Sequence, residues 1–302
     1  MILKELARTG VRIPEVGLGT AQYRAGPLLL RKGLEKGALF IDTAESYGTD
    51  VVVGEAVKGM RDRVFIATKV SPQNFRAADL RKSADSSLLR LGTDTIDLLQ
   101  LHHPNPEIPI EEPMGALSDL IDQGKVRYVG VSNFSVGQLQ DARKALGRYP
   151  IVSNQVRYNL IDRTIEKDLL PYCQQSGITV IAYTPLARGV DRVRDCDPNG
   201  VLDCLAREIG KSVAQIILNW CLCHDGVVAI PRSNSEEHLL DNVGASDWRL
   251  NNEQLALLNT SIQYRHRTRF DTLVRRYLPA GLRNIALQTA KRLPRGLRRR
   301  FT

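Results

Sequence analysis

The chain has 302 residues, 43% of them hydrophobic and 25% charged, with a formal net charge of +9. This composition belongs to a folded globular protein and excludes wholesale disorder and a polytopic membrane protein. No apolar run reaches the ~18 residues of a spanning helix, and Met1-Ile2-Leu3-Lys4-Glu5 places an acid too early for a secretion signal, so a cytoplasmic protein is expected.

The charge is unevenly placed. From Ser261 to Thr302 there are 12 Lys and Arg against the single acid Asp271, so this tail carries +11 and the remaining 260 residues carry −2. The basic character therefore belongs to an appendage and not to the body. The five cysteines, Cys173, Cys196, Cys204, Cys221 and Cys223, show no paired metal-type spacing and read as structural thiols of a reducing compartment.

In chain order, residues 2–14 alternate polar and apolar around Thr9-Gly10 and predict a short hairpin. Eight apolar runs rich in Val, Ile and Leu follow: 16–18, 39–41, 64–67, 96–101, 128–131, 151–153, 179–182 and 227–230. Helical periodicity fills the intervals at 28–36, 51–58, 78–91, 113–123, 136–146, 165–176, 202–209 with 213–224, and 235–242. Asp50 and Ser135 are candidate N-caps, and Gly37, Gly92, Gly124, Gly147, Gly177 and Gly210 are candidate stops. Eight strand–helix units over about 230 residues predict a (β/α)8 TIM barrel. A doubly wound sheet is disfavoured, because Gly17 and Gly19 are followed by Gln22 where a dinucleotide turn needs a third glycine.

In such a barrel the chemistry lies at the C-terminal ends of the strands. The residues just past the apolar runs include Asp42, Lys69, His102, Asn133, Gln155 and Tyr183, with Arg232-Ser233 after the eighth. These groups would be costly to desolvate unless they satisfied one another or a ligand, which marks a functional site. Tyr47 follows Asp42 closely enough to fold back over the mouth. An unperturbed phenol, at about 10, is a poor acid at neutral pH, and an adjacent Lys69 ammonium held by Asp42 is expected to lower it. Such a set protonates a developing oxyanion but holds no hydride, so carbonyl reduction needs a cofactor.

The stretches Gly17-Leu18-Gly19-Thr20, Ile41-Asp42-Thr43-Ala44-Glu45-Ser46-Tyr47-Gly48, Ala67-Thr68-Lys69, Leu101-His102-His103-Pro104, Gly130-Val131-Ser132-Asn133-Phe134, Asn154-Gln155-Val156-Arg157-Tyr158, Ala182-Tyr183-Thr184-Pro185-Leu186 and Ile230-Pro231-Arg232-Ser233 together resemble the aldo-keto reductases, in family order over about residues 1–260. The resemblance implies NADPH-dependent reduction of aldehydes or ketones by a monomeric barrel, with Tyr47 as general acid and Asp42, Lys69 and His102 completing the catalytic set. It places His103 at a substrate-pocket position where the family has Trp, which makes the pocket more polar. Alternation along a strand would put His102 and His103 on opposite faces. The resemblance also implies that Ser132, Asn133 and Gln155 hold the nicotinamide carboxamide and that Tyr183 stacks on the ring. Thr184 and Leu186 would lie beside the pyrophosphate, and Arg232, Ser233, His238, Asp241 and Asn242 around the adenosine phosphate. The family has Arg at His238, and a mostly neutral imidazole weakens that phosphate clamp.

Two other readings use the same residues. Lys69 could form a Schiff base as in aldolases, although Asp42 would keep it protonated. A barrel that binds NADP without turnover, as a sensor or regulatory subunit, would retain the same set. The expected domain division is 1–262 for the barrel and 263–302 for a basic helical extension. The extension shows Phe270, Leu273, Val274, Tyr277 and Leu278, then Leu282, Ile285, Ala286, Thr289 and Leu293, at helical spacing. Such segments are expected to pack on the barrel, to stay mobile, or to attach peripherally to an anionic membrane surface. No nucleic-acid partner is expected, because aromatics are not interleaved with the arginines.

Overall fold

The computed structural model describes residues 1–264. The basic extension expected from residue 263 onward lies outside the described residues except for Gln263 and Tyr264. A hairpin of β1 (Leu3–Glu5) and β2 (Arg12–Pro14), in antiparallel register with Leu3 opposite Pro14, precedes the barrel. Eight parallel strands follow: β3 (Leu18–Gly19), β4 (Phe40–Asp42), β5 (Phe65–Val70), β6 (Ile96–Leu101), β7 (Val126–Ser132), β8 (Ile151–Arg157), β9 (Thr179–Tyr183) and β10 (Val227–Ala229). They are neighbours in sequence order, as successive right-handed crossovers require.

The sheet closes between its first and last strands. Val16 bridges Ala229, the Gly17 N–H donates to the Ala229 carbonyl at 2.9 Å, and the Gly19 N–H donates to the Pro231 carbonyl at 3.1 Å. A Cβ on Gly19 would stand 2.7 Å from the Ile230 carbonyl oxygen, so this seam admits only glycine. Leu6 and Ile13 of the hairpin are buried among the inward residues Phe40, Phe65, Leu98, Val152, Ile181 and Val228. The hairpin therefore plugs the N-terminal end of the barrel and leaves the opposite end open for chemistry.

The outer ring comprises α1 (Pro27–Glu35), α2 (Asp50–Val57), α3 (Ala77–Leu91), α4 (Glu111–Asp122), α5 (Val136–Leu146), α6 (Leu169–Ser176), α7 (Val190–Arg194), α8 (Val201–Ile209), α9 (Val213–Leu222), α10 (Glu236–Val243) and α11 (Asn252–Ser261). Ser135 caps α5 through a reciprocal capping box with Gln138. The residue at the α2 cap is Thr49 and not Asp50; Asp50 opens the helix, 1% exposed and bonded to Arg90. The helix expected over 165–176 divides into a 3-10 turn (Thr164–Lys167) and α6, and the one expected over 213–224 ends at Leu222. Helices α7 and α11 were absent from the sequence expectation. The five cysteines are unpaired, and burial pushes the Cys173 thiol up to about 12. Among the described residues no helix is long and apolar enough to cross a membrane.

Candidate active site

Two charged side chains stand at the open ends of adjacent strands. Asp42 ends β4 and Lys69 lies near the end of β5, and they are 2% and 1% exposed. Lys69 Nζ donates to Asp42 Oδ1 at 2.6 Å and to the Thr43 carbonyl at 2.7 Å. Gln155 of β8 donates its amide to Asp42 Oδ2 at 2.6 Å, so both carboxylate oxygens are engaged. Burial pulls the Lys69 pKa down, and Asp42 opposes that pull. A charge pair this deep survives only with such complete partnering.

Beneath the pair runs a line of hydroxyls. Thr20 Oγ1 donates to the Asp42 carbonyl at 2.9 Å and lies 2.9 Å from Thr49 Oγ1, which is 2.8 Å from Thr43 Oγ1. Thr43 in turn donates to Asp50 Oδ1 at 3.2 Å. These threonines fix the backbone that carries Asp42 and receives Lys69.

Tyr47 ends the 3-10 turn Glu45–Tyr47, which follows β4 and folds over the mouth. Glu45 anchors the turn: its Oε1 accepts from the Ser71 N–H at 2.5 Å and from Asn74 Nδ2 at 3.0 Å, both in the connection after β5. Lys69 Nζ sits 4.8 Å from the Tyr47 ring centroid, over its face. The hydroxyl instead lies 3.5 Å from His102 Nε2. The expected net lowering of the tyrosine pKa is therefore corrected: the ammonium faces the ring and not the hydroxyl, and whatever pull it exerts is outweighed. Burial, followed by the nearby Asp42 and Tyr183, drives it above its ordinary value. The imidazole of His102 is pushed down to about 3 by burial and by the Lys69 charge, so it is neutral.

His102 and His103 stack face to face, with centroids 4.9 Å apart and planes 9° apart. The expected opposition of the two side chains fails because β6 ends at Leu101, and alternation ends with it. His103 stands at the rim with part of its ring open to solvent, and the loss of hydration on its packed side, followed by the Lys69 charge, lowers its pKa.

The other polar positions continue around the mouth. Ser132 Oγ donates to the Gln155 carbonyl at 2.8 Å, and Asn133 Nδ2 donates to Ser132 Oγ and to the His102 carbonyl at 2.9 and 3.2 Å. Tyr183 donates its hydroxyl to Asn133 Oδ1 at 2.9 Å. Ser132, Asn133, Gln155 and Tyr183 thus form one connected set. Asn133 holds φ +64°, and Thr184, Ala187 and Arg188 after β9 hold φ +54°, +53° and +73°. A β-branched residue in the left-handed region is strained, and such strain gathers at ligand sites. Leu186, half-buried, lies inside this tight loop and accepts at its carbonyl from the Gly189 N–H at 2.8 Å.

At the far rim Ser235 caps α10 and accepts from the His238 N–H at 3.3 Å, and Ser233 Oγ donates to the Ser235 carbonyl at 2.8 Å. Arg232 and His238 are exposed, and among the described residues no acid pairs with Arg232. Asn242 is 5% exposed and lines a small cleft with Ser233 and Tyr23. Asp241 accepts at Oδ2 from Ser212 Oγ at 2.9 Å, which ties it to the start of α9. A helix start beside a free guanidinium is the chemistry a phosphate group requires, so this rim and the strained loop suit a phosphate-bearing cofactor.

Sequence reasoning did not find the Gln155–Asp42 bond, the Glu45 anchor or the threonine line. Nor did it single out Arg157, at the end of β8, whose guanidinium lies 5.5 Å from the Tyr183 ring centroid. The motif Ile41 to Gly48 contained Thr43 and Glu45, but their partners lie on other strands and connections, out of reach of a local pattern.

The architecture is a closed (β/α)8 barrel with a buried charge pair, a phenol and a neutral imidazole converging at its C-terminal mouth. Residues 22–263 match the aldo/keto reductase family, and the chain belongs to that family. It is similar to the methylglyoxal reductase YeaE of Escherichia coli, 38% identical over 259 residues that span 82% of this chain and 91% of that protein. Among solved structures it resembles the thermostable aldo-keto reductase Tm1743 in complex with the inhibitor epalrestat, with a TM-score of 0.80 and 39% identity over 86% of this chain and 99% of the other. It also resembles an aldo/keto reductase of Klebsiella pneumoniae in complex with NADP and acetate, with a TM-score of 0.79 and 38% identity over 87% and 97%.

Proposed function

We propose that residues 1–262 form an NADPH-dependent carbonyl reductase in which Tyr47 is the general acid, and that 263–302 are a basic extension to it. The observation that carries this reading is the convergence of Tyr47 and His102, 3.5 Å apart, above the buried Lys69–Asp42 pair. The bound cofactor supplies the hydride. Ser132, Asn133 and Gln155 would hold its carboxamide and Tyr183 its ring, with Thr184 and Leu186 beside its pyrophosphate. Arg232, Ser233, His238, Asp241 and Asn242 would surround its adenosine phosphate. Because Gln155 Nε2 is committed to Asp42, its Oε1 is the atom left for the carboxamide.

A substrate carbonyl oxygen placed between Tyr47 Oη and His102 Nε2 receives two hydrogen bonds when the neutral imidazole carries its proton on Nε2. As negative charge grows on that oxygen, Tyr47 transfers its proton, and the Lys69 ammonium near the ring stabilises the phenolate that remains. Asp42 keeps Lys69 charged and in place. His103, stacked on His102, offers a further polar contact at the rim, which suits an oxygenated carbonyl compound such as methylglyoxal.

The test is the absorbance at 340 nm on mixing the protein, NADPH and methylglyoxal or another reactive aldehyde. A loss of signal that requires Tyr47 is the expected result. Tight NADPH binding with no turnover across an aldehyde panel would assign a sensor role to the barrel instead. Carbon–carbon cleavage trapped by borohydride on Lys69 would assign Schiff-base chemistry.

A further inference from the structure

The end of the barrel away from the mouth carries a groove of about 810 Å³, within the size range of small-molecule sites. It lies between the tip of the β1–β2 hairpin, the last turns of α5, the connection into β8 and the C-terminal turn of α6. Its lining includes Arg8, Arg143, Lys144 and Arg148 and no acid. Arg148 is neutralised by the Asp122 carboxylate just outside. The other three cations have no such partner among the described residues. Arg8 Nη2 donates to the Gln175 carbonyl at 3.1 Å, and Arg143 Nη1 donates to Tyr172 Oη at 3.1 Å and Ser176 Oγ at 3.3 Å, all neutral acceptors. Lys144 is exposed and makes neither a hydrogen bond nor an ion pair with a described residue.

Basic side chains often gather where helix C-termini end, because those ends carry partial negative charge. That accounts for Arg8, which caps a carbonyl of α6. It also favours Arg143 and Lys144, which lie in the last turn of α5, but it does not account for the fork of Arg143 being held by side chains of α6 rather than by carbonyls of its own helix, nor for all three cations facing one concavity. Three like charges around one concavity repel one another, a cost that an anion would reverse.

The two guanidiniums are also fixed in place. A Cβ on Gly177, which holds φ +63°, would stand 2.5 Å from Arg8 Nε, so the arginine lies flat on a glycine that leaves it room. Arg143 is held by two hydroxyls. Each fork keeps N–H groups free, and a pair of oriented forks with a point charge beside them matches the oxygens of a phosphate group.

We propose that this groove binds a multiply charged phosphate oxyanion, at a site separate from the catalytic mouth. The ligand is a free organic phosphate or diphosphate, or the phosphate of a lipid headgroup. The full-length protein would be titrated calorimetrically with inorganic pyrophosphate, beside an Arg8→Gln/Arg143→Gln double variant, Lys144→Gln and Arg232→Gln. The expected result is saturable, salt-sensitive binding that Arg232→Gln, at the mouth, retains. The double variant should weaken it at least about tenfold, since two charge-assisted contacts are lost, and Lys144→Gln several-fold. Lys144 is exposed and makes no hydrogen bond or ion pair with a described residue, so its variant reads the groove even if the double variant folds poorly.

Co-sedimentation with 4:1 phosphatidylcholine/phosphatidylglycerol vesicles separates the two sources. Loss of vesicle binding in the double variant would identify a headgroup, and unchanged vesicle binding beside lost pyrophosphate binding would identify a free phosphate. Absence of saturable pyrophosphate binding, or equal affinity in wild type, the double variant and Lys144→Gln, would overturn the proposal.

Discussion

The two sides of the mouth are built on opposite terms. On one side Asp42, Lys69, Gln155 and Thr43 are buried and bonded to one another, so the protein itself provides every counter-charge. On the other, Arg232 and His238 stand exposed at the start of α10, and Arg232 has no acidic partner among the described residues. The buried side is organised before anything binds, as electrostatic stabilisation of a transition state requires. The exposed side is completed only by a ligand. Substitutions on the first should therefore alter chemistry and stability, and substitutions on the second should alter affinity alone.

The sharpest division comes from Tyr47→Phe. It keeps the ring over Lys69 and removes only the proton, so turnover should fall roughly 10²- to 10⁴-fold. NADPH affinity, read by quenching of intrinsic fluorescence, should stay within about twofold. Retention of most activity would remove Tyr47 from the role of acid.

Asp42→Ala attacks the same side through stability. It strands a buried ammonium, and breaking such a pair from one side costs about 3–5 kcal/mol. Thermal or urea unfolding should show that loss, and the double variant Asp42→Leu/Lys69→Met should recover much of it. A single variant as stable as wild type would mean that the pair is not held as tightly as its distances imply.

The same division explains what the sequence disclosed. Strands Ile96–Leu101 and Val126–Ser132 are legible as apolar runs because parallel barrel strands are covered on both faces. The site positions are legible because polar residues interrupt those runs at their ends. Helix α11 was missed because the apolar stripe in 252–261 is sparse, with Leu258 its only fully buried residue. The stacking of His102 on His103 was misjudged because a strand's end cannot be fixed to one residue by pattern. The Lys69–Tyr47 relation failed for a different reason: proximity in the mouth was legible, but the approach of the ammonium to the ring face, and the weight of burial, depend on three-dimensional packing.

On the exposed side, Arg232→Gln should weaken NADPH binding roughly tenfold, because one charge-assisted hydrogen bond is worth about 1.5–3 kcal/mol. NADH, which lacks the 2'-phosphate, should lose much less, and kcat at saturating NADPH should hardly change. His238→Arg should act in the opposite direction, tightening NADPH several-fold. Equal affinities of the wild-type protein for NADPH and NADH would show that His238 leaves the phosphate clamp inadequate.

The smallest expected effect is that of pH on reduction, and it tests the buried side without a mutation. Tyr47 donates in its protonated form, and burial raises its pKa above the ordinary value of about 10, so the acid form persists throughout the neutral and mildly alkaline range. His102, lowered to about 3, stays neutral over the same range and contributes no acidic limb. The rate constant kcat/KM for aldehyde reduction at saturating NADPH should therefore be nearly flat between about pH 5 and 9. In the oxidative direction the required form is the phenolate, so the same raised pKa makes that rate climb with pH across the whole interval. A reductive limb falling near pH 8 would mean that the Lys69 charge, seated over the ring face 4.8 Å from its centroid, outweighs burial once the mouth is filled. That outcome would shift the control of the proton from the desolvated phenol to the ammonium beneath it.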